Sequence, residues 1–204
     1  MRRDAARVTS QCSGMQTTVS ASTNPSAVNA TRWTLDPGHS AVGFSVRHLM
    51  ITNIRGEFEK FRGEVTYDPA HPEATRIDAT IDVASVNTRE PKRDSDLRSA
   101  LFFDAESHPA MRFVSKSAKA TNGEIDVTGD LTIRGVTREV TLSIRDISDV
   151  QVDMRGNPRT GATASAKITR SDFGMTWNKA LDAGGVVVGE IVTVTIEVSL
   201  VKTA

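Results

Sequence analysis

From Trp33 onward, apolar and polar residues alternate with a period of two, the pattern of a strand with one dry and one wet face. In the stretch FSVRHLMITNIRGEFEKFRGEV, residues 44–65, Val46 and His48 follow Val42 and Phe44 on one face, opposite Ser45 and Arg47. Ile77, Ala79, Ile81 and Val83 alternate with Asp78, Thr80 and Asp82. Ile125, Val127, Leu131 and Ile133 alternate with Asp126, Thr128, Asp130 and Thr132. Val140, Leu142 and Ile144 form another inward set, and Ala162, Ala164, Ala166 and Ile168 oppose Thr163, Ser165 and Lys167. The last run sets Val192, Val194, Ile196, Val198 and Leu200 against Thr193, Thr195, Glu197 and Ser199.

A single dry face repeated in strand after strand marks an antiparallel sheet; parallel strands covered on both sides read as unbroken apolar runs. Breaks such as DPGH, YDPAHPE, TNGE, IRGVTRE and RGNPRTG supply turns between about eight strands. One segment reads as a helix, TREPKRDSDLRSALFF, with Thr88 as cap, Pro91 in the first turn and Leu97, Ala100 and Leu101 on one face. A shorter turn is expected in NKALDAGG. The predicted fold is all-β: an eight-stranded antiparallel up-and-down barrel with one covering helix, closed so that no edge is left unpaired. A two-sheet sandwich is the alternative.

Eight strands enclose an interior that side chains fill or that holds one small ligand. Ala79, Gly129, Ala162, Ala164 and Ala166 are small inward residues, and they predict a tunnel among Phe44, Phe58, Phe113 and the aliphatics. The competing reading is a tightly packed core.

Composition narrows the function. Lys plus Arg and Asp plus Glu are 25 each in 204 residues, so no net field recruits nucleic acid or an anionic membrane. The one cysteine, Cys12, has no intramolecular disulfide partner. No run reaches the roughly 18 apolar residues of a spanning helix, so no stable membrane insertion is expected. Residues 1–30 are rich in Ser, Thr, Ala and Asn and are expected to be a disordered tail, or an extended start with Met15 as initiator. The β-barrel domain is then 31–204. Arg2-Arg3 is followed by no apolar h-region, so a cytoplasmic location is expected, with the periplasm as alternative.

Motifs for catalysis or metal binding do not assemble. GNPRTG has Ala162 where a phosphate loop needs lysine, and GHSAVG lacks nucleophile-elbow spacing. His39, His48, His71 and His108 show no ligand spacing, and RDSDLR lacks the glycine of a calcium loop, leaving it a solvated helix face. His48 shares the apolar phase and is either a satisfied core residue or a hydrogen-bonding partner for a ligand. Arg47, Arg55 and Arg62 are expected outside or at a rim, where arginine can hold an anionic headgroup.

The segments WTLDPGHSAVGFSVRHLMITNIRGEFEKFRGEV, DLRSALFFDAESHPAMRFVS, GDLTIRGVTREVTL and SDFGMTWN resemble the YceI family of lipid-binding proteins. The resemblance runs from about Trp33 to Leu200. It implies a lipocalin-like barrel, a polyisoprenoid or isoprenoid-quinone ligand in the tunnel, and a homodimer. Candidate ligand-binding residues are Phe44, His48, Phe58, Phe102, Phe103, Phe113, Met175, Trp177 and Asn178. No catalytic residue and no cofactor beyond the bound lipid is required for transport, storage or sequestration. Two rivals stand beside this reading: an enzyme acting on such a lipid, which needs an inward acid–base pair, and a module binding through the basic outer surface from Arg47 to Arg62.

Overall fold

Every alternating segment becomes a strand. A computed structural model of the chain describes residues 31–182 and 184–203, and the tail expected over 1–30 lies outside the described residues. The strands are β1 (Thr31–Leu35), β2 (Ala41–His48), β3 (Thr52–Phe58), β4 (Phe61–Tyr67), β5 (Arg76–Asp82), β6 (Val86–Asn87), β7 (Ala110–Thr121), β8 (Glu124–Ile133), β9 (Val136–Arg145), β10 (Gln151–Val152), β11 (Pro158–Thr169) and β12 (Val188–Lys202). The ladder β1-β4-β5-β7-β8-β9-β11-β12 closes on itself because β12 pairs with both β11 and β1. The result is an eight-stave antiparallel barrel, not a sandwich.

Two staves are bent. β1 and β2 lie in succession along one edge of β12, and β3 runs into β4 beside them. The first bend is a 3-10 turn, Pro37–His39, in which the Asp36 carboxylate accepts from the Gly38 amide at 3.0 Å. Asp fits this position because its short side chain caps a backbone N–H two residues on.

The helix is shorter than the sequence predicts. α1 (Pro91–Arg98) is capped by Glu90, whose carboxylate accepts from the amides of Lys92 and Arg93. Thr88 does not cap it. Its amide and hydroxyl donate instead to the Asp94 carboxylate, at 2.8 and 2.5 Å, within the buried interior. Asp94 is therefore a satisfied buried acceptor and not part of a solvated face. Two helical turns cannot present the expected three-residue face: Leu97 packs on the core, while Leu101, beyond the helix, stands in solvent. NKALDAGG forms a tight turn closed by a bridge between Ala180 and Val186.

The connections sort into two ends. The β2–β3 and β8–β9 turns, α1 with residues 99–109, and residues 170–187 gather at one end, here termed apical. The β4–β5, β7–β8 and β9–β11 connections lie at the other, basal end. One buried cluster, including Val86, Met111, Phe173 and Met175, sits under the apical cover; a second, Phe113, Ile125 and Val127, lies toward the base.

Candidate binding site

Between these clusters the inward faces leave a cavity of about 250 Å³ with an apolar lining. A dry apolar cavity of roughly 150 Å³ already binds a molecule the size of benzene, so this space is ligand-sized. Its shape follows from one wall. Across the β11–β12 ladder, Ala162, Ala164 and Ala166 face Val198, Ile196 and Val194, and all six line the cavity. A strand of inward alanines held against branched residues cannot fill the interior. Ala79 lines it as well.

Gly129 does not contribute space. A Cβ there would come within 2.7 Å of the Phe113 ring and 2.5 Å of the Val114 carbonyl oxygen. The missing side chain is the seat of an aromatic ring, so the glycine belongs to packing and the alanines to the void.

Six of the nine candidate residues line the cavity: Phe44, Phe58, Phe102, Phe103, Phe113 and Met175. Phe44, Phe58 and Phe103 form a chain of rings with centroids 5.6 and 5.7 Å apart, an aromatic wall at the apical half. The other three lie on the apical rim. His48 keeps the inward phase of β2, but it is the last residue of the strand and falls beyond the lining, opposite Val188 and Thr52. Trp177 is 40% exposed and packs on Phe102 at 5.6 Å. Asn178 uses both ends of its amide on the Val188 backbone, at 2.8 and 3.1 Å, which fixes the start of β12.

Several lining residues are not among the nine candidates. Leu97, Leu131, Leu142, Val192 and Val194 line the same space. The signal for all but Leu97 is the period-two phase itself, which marks every inward aliphatic equally. Tyr67, the one tyrosine of the chain, also lines it. Burial raises the Tyr67 pKa above its ordinary value of 10.0, so its phenol is neutral at physiological pH.

Arg170 marks the apical limit. It is 3% exposed and reaches the lining, yet its donors are committed. Nε donates to the Gly189 carbonyl at 2.9 Å. Nη1 donates to the Met175 and Trp177 carbonyls, and Nη2 to the Val188 carbonyl and, at 2.7 Å, to the Glu190 carboxylate. A guanidinium has five N–H groups, so none is left for a ligand headgroup. Arg170 positions the rim. Arg47 and Arg55 are exposed on the outer wall.

The lining contains no carboxylate, imidazole, thiol, amine or serine hydroxyl. Among the described residues, no group of three or more His, Cys, Asp or Glu side chains could hold a metal ion, and no helix is long and apolar enough to cross a membrane. The polar side chains of the lining are Arg62, Arg112, Arg170, Tyr67, Thr75 and Thr160; the rest of the lining is apolar and suited to burying apolar surface.

Comparison with known proteins fits this geometry. The family model for the YceI-like domain matches residues 33–200, the whole barrel. The chain belongs to the YceI family. A UPF0312 protein of Staphylococcus aureus (strain MSSA476) is 35% identical over 160 residues, 78% of this chain and 91% of that one. Among solved structures, Burkholderia cenocepacia BcnA superposes with a TM-score of 0.71 at 25% identity, covering 81% of this chain and 98% of its own. A polyisoprenoid binding domain from Saccharophagus degradans, implicated in plant cell wall breakdown, has a TM-score of 0.60, covering 86% of this chain and all of its own. At 17% identity that last likeness is one of fold.

Proposed function

We propose that this YceI-family barrel binds a long-chain isoprenoid lipid, of the polyisoprenoid or isoprenoid-quinone class, for transport, storage or sequestration, and does so as a homodimer. The observation that carries the reading is the apolar-lined cavity whose size is set by the three inward alanines of β11. The polyisoprenoid binding domain of S. degradans, with the same fold, supports the ligand class. Affinity comes from apolar burial, at roughly 25 cal/mol per Å² removed from water, less the cost of ordering the chain. No catalytic group is needed. The rival reading, an enzyme acting on such a lipid, would need an inward acid–base pair.

The test is native mass spectrometry of the protein purified from its own host, with organic extraction of what it carries. The expected result is a stoichiometric long-chain lipid released on denaturation. Ala166→Phe, which fills the cavity opposite Val194, is expected to abolish that lipid while the barrel stays folded. An empty wild-type protein that also refuses added isoprenoids would overturn the reading. So would an Ala166→Phe variant that carries lipid as before.

A further inference from the structure

Three hairpin turns between adjacent strands place two consecutive residues at positive φ, as the apical connection does at Gly184-Gly185. In the β7–β8 turn they are Asn122 (52°) and Gly123 (81°), in the β8–β9 turn Arg134 (53°) and Gly135 (73°), and in the β2–β3 turn Leu49 (51°) and Met50 (59°). Glycine accepts the left-handed region freely, whereas a Cβ crowds the following carbonyl. Two turns thus use the expected residue at their second position, and the third uses Leu-Met. Ile51 follows it. These three side chains are 38%, 44% and 75% exposed. A bulky residue held in a strained backbone and in water at once is held there for a partner.

The tip is joined to the rim of the cavity. The Leu49 amide donates to the Val187 carbonyl at 2.8 Å, and the next residue, Val188, is clamped by Asn178. Beside Asn178 stands Trp177, half-exposed on Phe102, which lines the cavity, and Leu101 projects next to Phe102. The β2–β3 turn is thus tied through Val187 and Val188 to the rim residues Asn178 and Trp177.

Charge selects the partner. Arg47, whose Nη2 donates to the Met50 carbonyl at 3.0 Å, and Lys179, whose carbonyl accepts from Val187, flank the tip. Among the described residues neither pairs with a carboxylate. Glu190 is held by Arg170, which leaves Asp172 and Asp182 as the exposed carboxylates of the 170–187 connection. The basal tongue around β10 also exposes Val150, Val152 and Met154, but they alternate with Asp149, Gln151 and Asp153 in the run SDVQVDM. An anionic surface would meet Arg47 and Lys179 beside the apolar tip, whereas on the tongue Asp153 is held by Arg159 and Asp149 is offset by the exposed Arg155.

We propose that the apical rim docks on the surface of an anionic lipid bilayer, with Leu49, Met50 and Ile51 among the acyl chains and Arg47 and Lys179 over phospholipid headgroups. This is a peripheral contact, of the kind an apolar loop with flanking cations makes. It builds on the lipid-binding reading by naming where cargo crosses, yet it is measured without cargo.

The full-length protein is sedimented with isoprenoid-free vesicles of phosphatidylcholine, with and without phosphatidylglycerol. Binding is expected with phosphatidylglycerol, weakening as salt rises. Leu49→Asn combined with Met50→Gly is expected to cut partitioning roughly tenfold or more. The same variant should melt higher than wild type, since it relieves the strained turn, and should take up isoprenoid from detergent solution unchanged. Met154→Ser at the opposite end should partition as wild type. Failure of the wild type to bind, or equal binding by the double variant, would overturn the proposal. Loss of a homodimer in the double variant would overturn it too, by assigning the tip to a second copy. Vesicle binding without isoprenoid uptake by the wild type would leave docking standing and remove the carrier reading.

Discussion

The β7–β8 and β2–β3 turns adopt the same left-handed backbone at opposite ends of one barrel, and opposite residues fill them. At the base, Asn122-Gly123 suits that backbone and faces water. At the apex, Leu49-Met50 does neither. The contrast extends to the surrounding connections. Basal loops are tied by side-chain charges: Arg159 bonds Asp36 at 2.6 Å and Asp153 at 2.8 Å, and Arg145 bonds Glu124 and Asp126. Apical loops are tied through main-chain carbonyls, around Arg170 and around Arg134, whose Nη1 donates to Phe102 and Gly174. A charge-laced end is satisfied by itself in water. The apical end turns Arg170 and Arg134 to main-chain carbonyls, and the docking proposed above would cover the apolar groups it leaves outward.

The largest expected effect tests the apical half. Arg170→Met keeps the side-chain length and removes every bond to residues 175–177 and 188–190. The Met175, Trp177 and Gly189 carbonyls lose this donor, Val188 keeps only that of Asn178, and Glu190 loses its partner. The variant is expected to be destabilised by about 3 kcal/mol in urea titration. Hydrogen exchange should quicken in 174–190 well before it does in β7 and β8. A uniform change across the barrel would show that the arginine serves global packing and not the rim.

This division between the ends also marks how far the sequence could be read. Period-two phase exposes the staves, their closure and the cavity lining, because each follows from which face a residue is on. The three alanines of β11 announce the void for the same reason. Gly129 misleads because absence of a side chain says nothing of what fills the space. The helix boundary fails at Thr88, a residue equally able to cap a helix or to bond Asp94 from just past β6. Arg170 is illegible since its partners are carbonyls, which every residue carries. The tip is hidden because HLMIT continues the apolar content of a strand and contains no Gly, Asn, Asp or Pro to announce a turn.

A smaller effect comes from exchanging the two turns. Gly123 has open space where a Cβ would stand, so replacing Asn122-Gly123 by Leu-Met charges only the backbone. A left-handed non-glycine residue costs roughly 1–2 kcal/mol, and asparagine tolerates the region better than leucine. Asn122→Leu with Gly123→Met is therefore expected to lose about 2 kcal/mol, and Leu49→Asn with Met50→Gly to gain a similar amount. Equilibrium denaturation of both variants reads the pair. Equal and opposite shifts mean that the apical turn carries a cost unrelated to folding. A destabilised apical variant would mean instead that Leu49 or Met50 packs productively, as the Met50 side chain, seated where a Cβ on Gly185 would stand, invites.

The smallest effect is the acid dependence of the basal clamp. The Arg159 guanidinium, with the His39 ring second, holds the Asp36 carboxyl down at about 2 from its ordinary 3.8, and Arg159 with the Asn157 amide holds Asp153 lower still. Groups with depressed folded pKa values stabilise fully above the unfolded value and lose that contribution as pH falls through the folded one. Stability should therefore decline from about pH 4 toward pH 2. Arg159→Met should flatten this part of the thermal-midpoint profile without touching isoprenoid uptake. His71 acts with the opposite sign: the hydrogen bond its ring donates to Asp68 raises its pKa above 6.5, so its contribution is complete below that pH and fades as pH rises through the folded value. Its ring is solvent-exposed, so this limb should be barely measurable beside the acid one. An acid decline that persists unchanged in Arg159→Met would relocate the carboxylates that hold the barrel together from its base to its wall, where Asp78 pairs with Arg112 and Asp130 with Lys116.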